Sequence, residues 1–296
     1  MEIEFEPSRE LFPFESRWFE SGVGRVHYID EGEGRPILFC HGNPTWSFLY
    51  RNIIRELRDD FRCVAVDYPG FGLSVRPDDG EYGYTPREHA AVVSDLMGRL
   101  DLDDFIVMGQ DWGGPIGLRV AVEFADRVGG IVAGNTWFWP TDKRLNRFFS
   151  WFMSTQLMNW ANIEKNFFVE RMIPMGTAKK LTEEEMDHYR AVQPGPRARY
   201  GAAEFPKQLT KAGPWLAELE ADVRSNLSHL PLLLTWGMRD VAFSPGYFIP
   251  RWKAVFQDHT LVELDEAKHF IQEDAPNRIA RAIASEFGIR NEEGDF

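Results

Sequence analysis

The sequence predicts an α/β protein with an open, doubly wound, mostly parallel sheet and an all-helical segment inserted late in the chain. Three observations carry this. Short apolar runs alternate with longer amphipathic stretches; several runs are apolar at consecutive positions, as strands buried on both faces require; and the interval 140–213 contains no strand-like run. With 296 residues, 44% of them hydrophobic and including 23 Phe and 10 Trp, the chain can fill one large core and is too apolar for extended disorder.

The expected strands run, in order, over 25–29, 36–40, 62–66, 105–109, 130–134, 230–236 and 260–264. The runs Ile37-Leu-Phe-Cys40, Ile131-Val-Ala133 and Pro231-Leu-Leu-Leu234 read as central strands because no polar residue alternates with the apolar ones. Helices are expected between them at 47–58, 86–100 and 114–124, with another after the last strand at 276–287. In 140–213, Trp, Phe, Met and basic residues recur at helical spacing, and Gln193-Pro-Gly-Pro196 punctuates the pattern. This divides the chain into a core of 1–139 and 214–296 and a helical cap of 140–213, whose place between two strands suits the wall of a pocket over the strand ends.

The charge balance, 33 − 46 = −13 with an isoelectric point near 5.1, argues against a nucleic-acid footprint and for an uncharged or cationic small partner. The acidic start Met1-Glu-Ile-Glu-Phe-Glu6 does not resemble a signal peptide, and no apolar run reaches the roughly eighteen residues of a membrane helix, so a cytoplasmic protein without membrane contact is expected. Two cysteines, Cys40 and Cys63, read as core fillers rather than a disulfide framework or a zinc site; neither a metal nor a cofactor is expected.

The chemistry is written most clearly in Val107-Met-Gly109-Gln-Asp111-Trp-Gly113-Gly114, a strand ending in G-x-D-x-G and running into a helix. In the related G-x-S-x-G elbow, small residues permit a cramped strand-to-helix turn that lifts the central side chain over the sheet. Here that residue is Asp111, and no G-x-S-x-G occurs in the chain. A carboxylate is already ionised at neutral pH, so it can displace a leaving group from saturated carbon without a base, forming an alkyl ester. The bland reading of Asp111 as a helix N-cap loses ground to the other motifs. Cys40-His41-Gly42-Asn43-Pro44 ends an apolar strand, and Asp67-Tyr-Pro-Gly70-Phe-Gly72-Leu-Ser74 forms a glycine-rich turn without dinucleotide-binding spacing. Trp236-Gly237-Met-Arg-Asp240 then places an acid after a late strand, and Ala267-Lys-His269-Phe270 a histidine after the last one. The order nucleophile, acid, histidine becomes Asp111, Asp240, His269.

With these motifs the sequence resembles the α/β-hydrolase superfamily over nearly its whole length and, within it, the haloalkane dehalogenases, through His41-Gly-Asn-Pro44-Thr-Trp46, Gly109-Gln-Asp-Trp-Gly-Gly114 and the Asp240/His269 pair. The resemblance implies an α/β-hydrolase fold with the cap between strands six and seven. It implies attack by Asp111 on the halogen-bearing carbon of a small apolar substrate, departure of halide, and hydrolysis of the ester by water that His269 activates. It also implies that Asn43 and Trp112 hold the halide and that their backbone N–H groups form the oxyanion hole. Neutral amide and indole donors suit an anion that needs hydrogen bonds but no proton. Some family members carry the acid after the sixth strand, where this chain reads Gly134-Asn135-Thr136-Trp137, so Asp240 is the remaining candidate. The pattern looks most like the third subfamily, with an Asp-His-Asp triad and an Asn/Trp halide pair.

Three rivals are weighed against this. An epoxide hydrolase shares the Asp nucleophile and uses cap tyrosines as acids, for which Tyr189 and Tyr200 are available, although Asn43 and Gln110 depart from its pattern. A fluoroacetate-type enzyme would want an arginine pair beside Asp111, which is missing. An inactive binding protein of the same fold is disfavoured by retention of all five polar groups. Phe138, Trp139, Phe148, Phe149, Phe152 and Phe168 are candidate pocket walls, although packing within the cap core is the readier account of each.

Overall fold

The computed structural model describes residues 1–78, 80–142 and 144–288. The strands are β1 (Arg17–Ser21), β2 (Gly24–Glu31), β3 (Arg35–Cys40), β4 (Phe61–Val66), β5 (Phe105–Asp111), β6 (Val128–Thr136), β7 (Leu232–Gly237) and β8 (His259–Leu264). They form one sheet in the order β1-β2-β4-β3-β5-β6-β7-β8. β2 runs antiparallel to both β1 and β4, and the remaining pairs are parallel. Residues of β3, β5 and β7 alternate between two buried layers: Leu38 and Val107 belong to one, Phe39 and Met108 to the other. Continuous apolar runs are what such strands need, because helices cover both faces.

On the core side lie α1 (Arg51–Leu57), α2 (Pro86–Leu100), α3 (Gly113–Glu123), α10 (Pro245–Lys253), α11 (Ile271–Asp274) and α12 (Pro276–Phe287). Helix α2 starts at a capping box in which Thr85 and Glu88 satisfy each other's backbone donors. Between β6 and β7 the described chain is helical, with α4 (Arg144–Met153), α5 (Gln156–Lys165), α6 (Ile173–Gly176), α7 (Glu183–Ala191), α8 (Tyr200–Lys211) and α9 (Gly213–Asn226). Helix α8 packs on α4 and α5, whereas α9 returns along α3.

Three expectations are corrected. β1 was not foreseen; it is an edge strand that pairs only with β2, and its RWFES sequence lacks the apolar run of a central strand. The expected 47–58 helix opens as a 3-10 turn, Ser47–Tyr50, before α1. β5 extends to Asp111 itself, so the expected nucleophile is the last residue of its strand. Cys40 and Cys63 are buried free thiols on neighbouring strands, and burial pushes Cys40 up to about 12. No described helix is long and apolar enough to cross a membrane.

Candidate active site

The turn from β5 to α3 is the structural pivot. Asp111 holds φ at +52°, a left-handed conformation that non-glycine residues seldom adopt and that costs about 1 kcal/mol or more. Its surroundings enforce it. A Cβ on Gly109 would overlap the Gly113 backbone, and one on Gly113 would overlap the Cys40 carbonyl, so the turn can close only with glycine at both places. The Thr136 hydroxyl donates to the Asp111 carbonyl at 2.6 Å and ties the elbow to β6. The side chain is thereby lifted off the C-terminal edge of the sheet.

The Asp111 carboxylate meets donors on one side and imidazole on the other. Its Oδ1 accepts the backbone N–H of Asn43 at 2.9 Å, and the Trp112 backbone N–H also donates to the carboxylate. Its Oδ2 lies 3.8 Å from His269 Nε2, too far for a direct hydrogen bond. Burial raises the Asp111 pKa, and the His269 charge and the two backbone donors offset this only in part. The Asn43 loop is stiffened by His41, which is buried and pushed down to about 4 by its burial. Its Nε2 accepts the Tyr68 N–H at 3.3 Å.

His269 is the hub of the site. Its Nδ1 lies 2.8 Å from Asp240 Oδ2, and its ring stacks on Phe243. Burial lowers its pKa but is outweighed by the charges of Asp240 and Asp111, leaving a net upward shift. Burial raises Asp240, yet its net shift is downward, because His269, Asn135 and the Phe243 backbone all favour the carboxylate. The Asp240 Oδ1 accepts the Ala242 N–H at 2.7 Å. All three groups of the expected triad are therefore brought together, with Asp240 on the Nδ1 side of His269 and Asp111 on the Nε2 side.

Asn43 and Trp112 reach the same place. With Asp111, Asp240 and His269 they line a cavity of about 380 Å3 whose remaining wall is largely apolar, including Phe149, Phe168, Met172, Leu209 and Phe243. The Trp112 ring is clamped between Trp137 and Phe205. The Asn43 amide donates one hydrogen to the Ala202 carbonyl of α8 at 3.2 Å, which fixes the orientation of its second N–H. Of the candidate wall residues, Phe149 and Phe168 line the cavity. Phe138 and Trp139 are buried in the core layer below it, and Phe148 and Phe152 face solvent because they lie on the outer side of α4. The cap tyrosines do not serve an epoxide-opening site. Tyr189 is buried with its hydroxyl donated to Glu273, and neither Tyr189 nor Tyr200 lines the cavity.

Two neighbours of the triad went unrecognised as partners in the sequence. Asn135, with φ +43°, donates to Asp240 Oδ2 at 2.7 Å and accepts the Gly237 N–H at 2.7 Å, bridging β6 to the acid. An Asn near the end of β6 tolerates that left-handed backbone, which is the one signal that could have drawn attention to it. Gln110 is fully buried, and its side-chain amide touches His269.

Known proteins resemble this chain in sequence and in fold. A family model described as alpha/beta hydrolase fold matches residues 35–276. The chain is 58% identical to haloalkane dehalogenase 2 of Mycobacterium tuberculosis over 97% of its own length and all of the relative's. It is 35% identical to a haloalkane dehalogenase of Mycolicibacterium paratuberculosis, covering 88% of this chain and 87% of that one. Among solved structures, a mutant of haloalkane dehalogenase DatA from Agrobacterium tumefaciens superposes with a TM-score of 0.83 at 26% identity, covering 94% of this chain and 99% of that one.

Proposed function

The chain belongs to the α/β-hydrolase fold family and, within it, to the haloalkane dehalogenases, and from that premise we propose that it hydrolyses haloalkanes to alcohol and halide through an ester on Asp111. The observation that carries this reading is the asymmetric environment of the Asp111 carboxylate: Oδ1 accepts the Asn43 backbone N–H, whereas Oδ2 faces His269 across a gap at the floor of an apolar cavity. Oδ2 attacks the carbon, the carbon–halogen bond breaks with its electron pair leaving on the halide, and the side-chain N–H groups of Asn43 and Trp112 receive the developing anion. In the resulting ester Oδ1 is the carbonyl oxygen, already seated against the backbone N–H of Asn43, with the Trp112 backbone N–H also directed at the carboxyl group. Water then loses a proton to His269 Nε2 and attacks Cγ of Asp111, the negative charge collects on Oδ1, and the Cγ–Oδ2 bond breaks; the departing alkoxide takes the proton back from His269 and leaves as the alcohol, while Oδ1 and the water oxygen remain as the Asp111 carboxyl group, which loses its proton to solvent. Asp240 orients His269 and stabilises the imidazolium. We assign the cap to 140–213, because residues of α4, α6 and α8 line this cavity while α9 follows α3.

The test is the His269→Phe variant. It lacks the base for the second half-reaction only, so it should release one equivalent of bromide from a bromoalkane and stop, with the alkyl mass retained on Asp111 in peptide mapping. A folded variant that binds the bromoalkane yet gives neither burst nor adduct overturns the proposed mechanism. An adduct with an epoxide instead of a bromoalkane would favour the rival chemistry.

A further inference from the structure

The residue before Asp111 is fully buried and lies outside the cavity lining, yet it makes two contacts with the base. The Gln110 Nε2 stands 3.1 Å from the His269 carbonyl oxygen and 3.0 Å from His269 Nε2. A carbonyl oxygen only accepts, so the amide nitrogen must face it; turning the amide over would bring two oxygens together. The second amide hydrogen then points at Nε2, which must present its lone pair. The Gln110 Oε1 is left buried without a partner, so nothing on the other side of the amide competes for its orientation.

Resting on the dehalogenase reading, we propose that Gln110 is a positioning residue for the hydrolytic half-reaction, its amide holding His269 in the form that bears hydrogen on Nδ1 and none on Nε2. A protonated Nε2 would meet the Gln110 N–H head-on, so the amide opposes premature loading of the base. The groups that pull the other way are identifiable. Among the described residues, Asp240, from the loop after β7, and Asp111, from the end of β5, are the only charged side chains besides His269 in the cavity lining; Lys268 next door extends to the Met175 carbonyl of α6. Phe243 and Phe270, whose rings lie against His269, and Gly176, which lies beside its Cβ, carry no charge. Gln110 is thus the neutral counterweight to two carboxylates. Once Asp111 is esterified one of those carboxylates is gone, and incoming water needs to displace only a single amide hydrogen from Nε2.

The test separates the two half-reactions. In Gln110→Met, which keeps side-chain length but has no donor, ester hydrolysis in single turnovers should slow more than bromide release. Its acid limb should move up by roughly 0.5–1 pH unit, with hydrolysis recovering on the alkaline side. Gln110→Asn, which retracts the amide from Nε2, should shift the limb in the same direction. A limb that stays in place while the rate falls at every pH would mean a structural role only and overturn the proposal. Should neither variant fold, the unaltered protein decides: above the His269 titration midpoint, 15N spectra should show hydrogen on Nδ1 and a nitrogen–nitrogen coupling across the Gln110 Nε2 to His269 Nε2 hydrogen bond. A neutral ring protonated on Nε2, or no such coupling, overturns it. Lack of any bromide burst from His269→Phe would sink the dehalogenase reading instead, leaving the spectroscopic result to judge Gln110.

Discussion

Replacing Trp112 by Phe removes one indole N–H while preserving an aromatic ring between Trp137 and Phe205. Loss of one donor to a developing anion costs about a hundred- to a thousandfold in rate, so halide release should fall by that factor, and bromide should perturb tryptophan fluorescence far less than in the native protein. An equal halide response in both proteins would remove Trp112 from the clamp. Titration supplies a second prediction. Burial holds the Asp111 carboxyl above its ordinary value of 3.8, and only the carboxylate attacks, so the bromide burst should fail on acidification at a higher pH than an ordinary aspartate would dictate. Rapid-quench bursts across a pH series measure this, and a midpoint at or below 3.8 contradicts it. His269 behaves in the opposite sense. Burial lowers it and the charges of Asp240 and Asp111 more than restore it, so neutralising Asp111 by alkylation removes one raising influence. The acid limb of ester hydrolysis should therefore lie below the NMR titration midpoint of His269 in the resting enzyme.

At the scale of elements, the elbow depends on backbone packing more than on the side chain it presents. Gly113→Ala would drive a Cβ into the Cys40 carbonyl at the end of β3, where neither strand nor helix can retreat without opening the sheet. Overpacking against backbone sits at the upper end of the usual range, and a loss of about 3 kcal/mol in urea unfolding is expected, together with loss of the bromide burst. A change below about 1 kcal/mol would show that the turn has slack. The same distinction explains what the sequence could disclose. β3, β5 and β7 were legible because strands buried on both faces must be apolar throughout, and the candidate triad was legible because Asp111 ends β5 while Asp240 and His269 follow β7 and β8, in a fold-specific order. β1 was not, since an edge strand can afford alternating Arg, Glu and Ser. Nor was α10, which carries Pro250 in its interior and Pro245 at the tolerated start of the helix. The roles of Asn135 and Gln110 were hidden for a different reason: each acts across a gap between elements 105 and 159 residues apart in sequence, and no local pattern records such a contact.

For the molecule as a whole, the question is what fixes the helical insertion over the sheet so that Leu209 and Phe168 meet the cavity that Asp111 enters. Arg51 of α1, only 1% exposed, is one answer. Its guanidinium binds Glu273 of α11 through both Nη atoms and reaches Glu185 of α7 at 2.8 Å, while Tyr189 of α7 donates its hydroxyl to the same Glu273. Lys179 completes the cluster, 3.6 Å from Glu273 and 3.4 Å from Glu185, so two carboxylates face two cations. The network joins the inserted helices to the segment that directly follows His269. Because desolvating charges offsets much of their attraction, the cluster's net contribution is small, whereas removing one member strands the other. Arg51→Met should therefore lose about 3–5 kcal/mol by urea unfolding, with Glu273 left buried against Lys179 and a phenol. Arg51→Met combined with Glu273→Gln should recover a large part of that loss, since the double variant strands no buried carboxylate. A double variant no more stable than Arg51→Met would place the defect in lost packing of the arginine stem over Phe48, 4.0 Å from the guanidinium, and not in the ion pair.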